Sequence, residues 1–234
     1  INIFETRYIL NKYTNIKQLT RGINKFFPGS AYLETYDDKL FILSSTGIFG
    51  FSSSINNEKL KFKQIKTNIN EFFYESFITR GYWQWFSIKD FIIINDKIYL
   101  SYTDEIRANC WATSILSGNL DYSSIKFKKF FQPKDCVEEF NTKDNKFNAF
   151  QSGGKITSID NENIIFSHGV YGESFLAQDN NSVFGKILKI NIKTGNYQVI
   201  SKGLRNTQGL VYDSDKNLIL STEHGPSGGD EINL

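Results

Sequence analysis

The sequence predicts an all-β fold, and within that class a β-propeller. Composition, an internal repeat and the scarcity of helical spacing point there together. Of 234 residues, 40% are apolar and 15% aromatic, with 21 Phe and 12 Tyr. That is too apolar for a disordered chain, and the aromatic, Ile and Ser/Thr content favours strands. The length supports one large domain or two small ones with a real core, and the repeat makes residues 1–234 a single partial propeller domain.

Four segments share one pattern: "YDDKLFILSSTGIFGFS" from Tyr36, "INDKIYLSYTDEI" around Asn95, "IDNENIIFSHGVYG" from Ile159 and "YDSDKNLILSTEHGP" from Tyr212. Each runs from an Asp-containing turn through a short apolar stretch to Ser and a polar or Gly-containing exit. Aligned on Leu40, Ile98, Ile164 and Leu218, the copies lie about 54–66 residues apart, a period that suits propeller blades of several short strands.

The remaining strands fall between these copies. "KLKFKQIKTNI" from Lys59 alternates, with its lysines on a solvated face. "TNINEFFYESFITRGYW" from Thr67 is the best helical candidate, though its spacing also fits a strand. "CWATSILSG" from Cys110 and "SSIKFKKFF" from Ser123 read as strands. "GKILKINIKTGNYQVIS" from Gly185 holds a Lys-Thr-Gly-Asn hairpin turn. About four blades of roughly four strands result. The fourth copy breaks off after its first apolar strand, and an open ring would expose long edges. The expectation is a truncated chain whose remaining blades are absent; the competing reading is a β-sandwich.

The 27 basic and 25 acidic residues give a net charge of +2, with no global field of the kind that draws proteins onto nucleic acid. No stretch approaches the roughly 20 apolar residues of a membrane span. The sequence starts at Ile1 and has no Met, so a processed protein or a fragment is expected, and no signal peptide is readable. Cys110 and Cys136 lack zinc-ligand spacing. They are either a disulfide of an exported protein or two buried thiols.

Chemistry concentrates in the last stretch. In "GLRNTQGL", Arg205 offers a planar fork of donors to carboxylate or quinone oxygens. Asn206 and Gln208 add amides, while Gly203 and Gly209 allow close backbone approach. In "EHGPSGGDEINL", Gly225-Pro226 and Gly228-Gly229 let carbonyls turn inward, and Asp230 and Glu231 bring adjacent carboxylates. Such mixed hard oxygens suit Ca²⁺, without the ligand spacing of an EF-hand. His224 lacks a second His at metal-ligand spacing and reads as structural.

These residues carry a resemblance. "GLRNTQGL…STEHGPSGGDEINL", with "QDNNSVFGKILKINIKTG" from Gln178 and "QSGGKITSIDNENIIFSHG" from Gln151, closely resembles the soluble pyrroloquinoline-quinone-dependent sugar dehydrogenases, the glucose/sorbosone dehydrogenase family of six-bladed propellers. The match is strong from Gln151 to Leu234 and weak before it. The resemblance implies that Arg205, Asn206 and Gln208 line a quinone and sugar pocket. It implies that the Gly225 and Pro226 carbonyls bind the Ca²⁺ that holds the quinone, and that Asp230 and Glu231 belong to a second, structural Ca²⁺ site. The implied reaction oxidises an aldose at its anomeric carbon: a base takes the hydroxyl proton as hydride passes to the quinone. The implied compartment is the periplasm or the exterior.

Two departures qualify the implied roles. Where the family has its general base, a His, this chain has Gln151, followed by Lys155 in place of Arg. A carboxamide has no usable basic lone pair at neutral pH. His168 is the nearby substitute, although a lone His at a strand exit is more often structural. The family's later basic residues, which clamp the quinone carboxylates, have no counterpart before Leu234. The alternative function is therefore a propeller that binds carbohydrate or protein without redox chemistry. A Ca²⁺-centred lactonase is a third, which the Arg-Asn-x-Gln and Gly-Gly-Asp-Glu pairing disfavours.

Overall fold

The structure is a computed structural model that describes residues 31–52, 62–72, 85–140, 142–143 and 147–234, and the backbone of Asn2–Ile3 and Thr6–Arg7. Those last two pairs are strands β1 (Asn2–Ile3) and β2 (Thr6–Arg7), a ladder of their own. The first large sheet takes β3 (Ala31–Tyr36), β4 (Lys39–Ser44), β5 (Phe49–Ser52) and β6 (Phe62–Thr67) as an antiparallel meander. The second takes β7 (Ile88–Ile94), β8 (Lys97–Arg107) and β9 (Cys110–Asn119). The chain then lends β10 (Ser124–Ile125) back to β6 in parallel, before β11 (Lys128–Phe131) and β12 (Val137–Glu138) return to β9. The third is β13 (Gly153–Ser158), β14 (Asn163–His168), β15 (Lys186–Asn191) and β16 (Tyr197–Lys202). The fourth has β17 (Thr207–Asp213), β18 (Leu218–Glu223) and β19 (Glu231–Asn233).

The sequence repeat is the hairpin that joins the first two strands of each sheet. Asp37-Asp38 and Asn95-Asp96 both have positive φ at the two turn positions, as tight hairpin turns with the strands' own twist require, and Asn and Asp tolerate that backbone best. Asn217 takes the same left-handed conformation in the fourth copy.

The first strands stand side by side: β7 packs against both β3 and β13, and β13 also against β17. Successive side chains of a strand point to opposite faces, and here both faces are covered. Phe91 and Ile93 enter a core with Phe41, Phe49 and Tyr102, whereas Ile92 and Ile94 enter one with Ile164, Phe166 and Leu188. Ile165 and Ile187 start a third core with Leu204, against which Leu210 and Ile219 of the fourth sheet pack. Strands buried on both faces explain the unbroken apolar runs "FIII" and "IIF". Successive sheets stacked around their first strands make the four-bladed propeller arrangement that the repeat predicts and exclude a two-sheet sandwich, which has one core. Of the helical candidate from Thr67, the described part is a short 3₁₀ turn at Ile69–Phe72; 73–84 lie outside the described residues.

Candidate active site

The inner strands β7, β13 and β17 begin at the same end of their blades. Asp90 Oδ2 meets Lys155 Nζ at 3.3 Å and accepts from the Ile156 amide at 3.4 Å, so β7 and β13 run level. The Gly153 N–H donates to Asn206 Oδ1 at 3.1 Å, and the Val170 N–H to the Arg205 carbonyl at 3.0 Å. The segment 148–152, the Arg205-Asn206 pair and the 224–230 connection therefore lie at the same end of their blades.

Arg205 is half-buried and closes a corner. Its Nη1 donates to the carbonyls of His224 at 3.0 Å and Gly225 at 2.7 Å, and its amide donates to Glu223 Oε1 at 2.6 Å. Asn206 is buried, and its Oδ1 also accepts from Gln208 Nε2 at 2.8 Å. Asn206 thus clamps two blades together and steadies the exposed Gln208. Across the corner, Asp230 Oδ1 accepts from His224 Nδ1 at 2.9 Å and the Gly225 amide at 3.1 Å. The His224 bond, first among several contacts, holds the Asp230 carboxyl below its ordinary value. The Pro226 carbonyl accepts from the Gly229 amide at 2.6 Å. A Cβ on Gly225 would run into the Gly229 carbonyl, so only glycine fits this turn.

An open cleft of about 390 Å³ lies beside this corner, lined by Gln208, Glu223, His224, Asp230, Glu231 and Ile232. Glu223 is the acidic group that sequence reasoning passed over, although it stands in the quoted "STEHGP". Its Oε2 is buried with no hydrogen-bond partner among the described residues. Burial, with the Glu231 charge adding to it, raises its pKa. A buried carboxylate oxygen without a donor is costly, and a hard cation would relieve both the desolvation and the repulsion from Glu231. Among the described residues no three His, Cys, Asp or Glu converge as a metal cage. A cation here would lean on backbone carbonyls and ligand oxygens as much as on side chains. On those terms the residues present fit a Ca²⁺-held anionic cofactor.

Gln151 is half-buried on the neighbouring blade. Its amide donates to the Asn148 carbonyl at 3.0 Å and its carbonyl accepts from the Tyr171 amide at 3.0 Å, while its side chain makes no hydrogen bond with a described residue. His168 pairs with Gly153 across β13 and β14 and is 1% exposed. The Thr113 N–H donates to its Nε2 at 3.0 Å, so its Nδ1 carries the proton and donates to the Gly169 carbonyl at 3.0 Å. Burial lowers its pKa to about 4. Its basic lone pair is filled. Lys155 turns to Asp90 and stacks its ammonium 5.0 Å over Tyr32.

Lys89 is the other residue that the sequence did not signal, because a Lys in a strand reads as solvated. It sits next to Asp90 with its stem against Gly154, where any Cβ would strike it. It makes no hydrogen bond or ion pair with a described residue, and desolvation lowers its pKa to about 8. Cys110 and Cys136 form a disulfide that ties β9 to the approach of β12.

A family model described as Glucose / Sorbosone dehydrogenase matches residues 89–234. An uncharacterized protein of Synechocystis is 34% identical over 105 residues, covering 35% of this chain and 26% of that protein. Among solved structures, the soluble aldose sugar dehydrogenase of Escherichia coli in its apo form superposes with a TM-score of 0.63 at 20% identity. The PQQ-bound aldose sugar dehydrogenase of Streptomyces coelicolor does so with 0.63 at 18% identity. Each comparison covers 87% of this chain and 59% of that chain.

Proposed function

The chain belongs to the glucose/sorbosone dehydrogenase family, and from that premise we propose that it supplies part of the active site of a sugar oxidoreductase. The substrate is an aldose oxidised at its anomeric carbon, with pyrroloquinoline quinone and Ca²⁺ as cofactors. One observation supports the reading above the others. The Arg205 guanidinium and the Gly225 carbonyl meet at 2.7 Å beside a cleft lined by Glu223, whose buried Oε2 has no partner among the described residues.

When bound, the quinone supplies the hydride acceptor. Arg205 and Gln208 bind its anionic oxygens, and the guanidinium stabilises negative charge that grows there. Asn206 holds Gln208 and the two blade ends in register. Gly225 and Pro226 offer carbonyls to the cation, with Glu223, Asp230 and Glu231 as the surrounding carboxylates, Asp230 and Glu231 forming the second, structural site. The disulfide fits an oxidising compartment, and with family membership supports a periplasmic or secreted location. Among the described residues no helix is long and apolar enough to cross a membrane.

The second reading is a propeller that binds carbohydrate or protein without turnover. The Gln151 amide and the filled lone pair of His168 favour it, since neither accepts a proton. Reconstituting the full-length protein with quinone and Ca²⁺, then following dye reduction by aldoses, separates the two. Quinone uptake with sugar-dependent dye reduction supports the oxidoreductase. Quinone uptake with no aldose turned over supports the binding role, and no uptake removes the cofactor assignment.

A further inference from the structure

We propose that Lys89 is the proton acceptor of the sugar oxidation, the role that neither Gln151 nor His168 can fill. This rests on the sugar-oxidoreductase reading. Three observations carry it. Lys89 is the second residue of β7 and touches Gly154, the second residue of β13, so it lies level with the turn that carries Gln151. It is half-buried, its stem packed against β13, and its amine makes no hydrogen bond or ion pair with a described residue, so no carboxylate among them fixes its charge. It is also held in place: Gly154 has φ +100°, and a Cβ there would collide with the Lys89 stem, so the chain keeps a glycine where the lysine passes.

The charged groups around it leave the amine free. Asp90, its neighbour, is paired with Lys155 from β13 at 3.3 Å. Glu34 on β3 has its carboxyl raised to about 7, by burial first and by Asp90 second. His168, which binds Thr113 near Gly154, is neutral. Burial alone therefore moves Lys89, to about 8, leaving a substantial fraction of neutral amine at mildly alkaline pH. A base whose pKa lies near the working pH is the effective one.

In the step, the anomeric O–H bond breaks and its proton joins the Lys89 amine to give an ammonium. The C–H electron pair leaves as hydride, reducing the quinone by two electrons, and the sugar carbon becomes the carbonyl of a lactone.

The test uses the full-length protein with quinone and Ca²⁺. Lys89→Met should bind quinone within about twofold of the native protein and lose on the order of 100-fold or more in kcat. It should also lose the rise in kcat/KM centred near pH 8. Lys89→Arg keeps a long cationic stem that holds its proton and should fail equally, which covers a Met variant that misfolds. Independently of turnover, reductive ¹³C-methylation of the cofactor-free protein should give one lysine signal, absent from Lys89→Met, that titrates near 8 rather than about 10.4. Native turnover by either variant, or a Lys89 signal titrating above about 10, overturns the assignment while the oxidoreductase reading stands. A native protein that takes up no quinone, or oxidises no aldose, overturns both.

Discussion

The Arg205 guanidinium donates through Nη1 to the Gly225 carbonyl at 2.7 Å, joining the entrance of β17 to the exit of β18. A carbonyl already facing a guanidinium is polarised, and the same fork presents its remaining donors to an incoming anion. Arg205→Ala should therefore weaken quinone binding by roughly 10- to 100-fold, the range expected when a charged hydrogen bond of about 1.5–3 kcal/mol is lost. Titrating quinone absorbance in the presence of Ca²⁺ checks this. Unchanged affinity would move the cofactor site elsewhere.

Lys186 is 1% exposed, and its ammonium donates at 2.8 Å to the carbonyls of Leu176, Ala177 and Phe184. It acts as a built-in cation that folds the 174–184 connection onto the third sheet. Lys186→Met keeps the stem but removes the charged donor from all three carbonyls; Ala177 keeps the Gly203 amide at 3.0 Å and Leu176 the Asp179 amide at 3.2 Å, while Phe184 loses its donor. The expected loss is about 3 kcal/mol, or roughly 6–12 °C in the calorimetric midpoint of a domain this size.

The parts of this molecule that were legible in sequence are those where local chemistry and fold agree. The Asp-rich turns gave away the repeat because left-handed backbone narrows the choice of residue, and the strand between them is apolar because both faces are covered. Arg205, Asn206 and Gln208 stood out as dense polar chemistry, but not their division of labour: Asn206 is buried between blades, which depends on the partner strand and not on its own neighbours. Lys89 and Glu223 were invisible for the same reason. A lysine in a strand and a glutamate at a strand end are ordinary in sequence; only the neighbouring blade desolvates the first, and only the pairing within the fourth sheet sets the second beside Glu231. Cys110 and Cys136 left two readings open, since spacing along the chain does not reveal that β9 and β12 pair.

Cys110 and Cys136 close a loop between those strands, with Val137 facing Trp111 and Glu138 facing Cys110 in the ladder. Replacing both cysteines by Ala should cost about 3.5 kcal/mol, the loop-closure entropy of a cross-link with a separation of 26 residues. Urea unfolding of the double variant against the native protein reads the difference directly, and a midpoint shift near zero would make the strand pairing self-sufficient.

Buried His168 and half-buried Glu34 should give stability opposing pH dependences over nearly the same range. His168 has its pKa lowered from 6.5 to about 4 because burial disfavours the imidazolium. Above pH 6.5 neither folded nor unfolded chain protonates it; as pH falls from 6.5 toward 4 only the unfolded chain does, so stability is lost, by about 3 kcal/mol in total. Glu34 runs the other way, its pKa raised from 4.5 to about 7 by burial and by Asp90. Between 4.5 and 7 the folded chain holds a proton that the unfolded chain has released, so stability falls as pH rises. The native profile should therefore be flatter than either group alone would make it. Relative to native, His168→Gln should gain stability on going from pH 7 to pH 4.5, while Glu34→Gln should gain on going from pH 4.5 to pH 8. Denaturant midpoints at those three pH values check both signs, and parallel shifts at all three would mean that neither group titrates as its surroundings require.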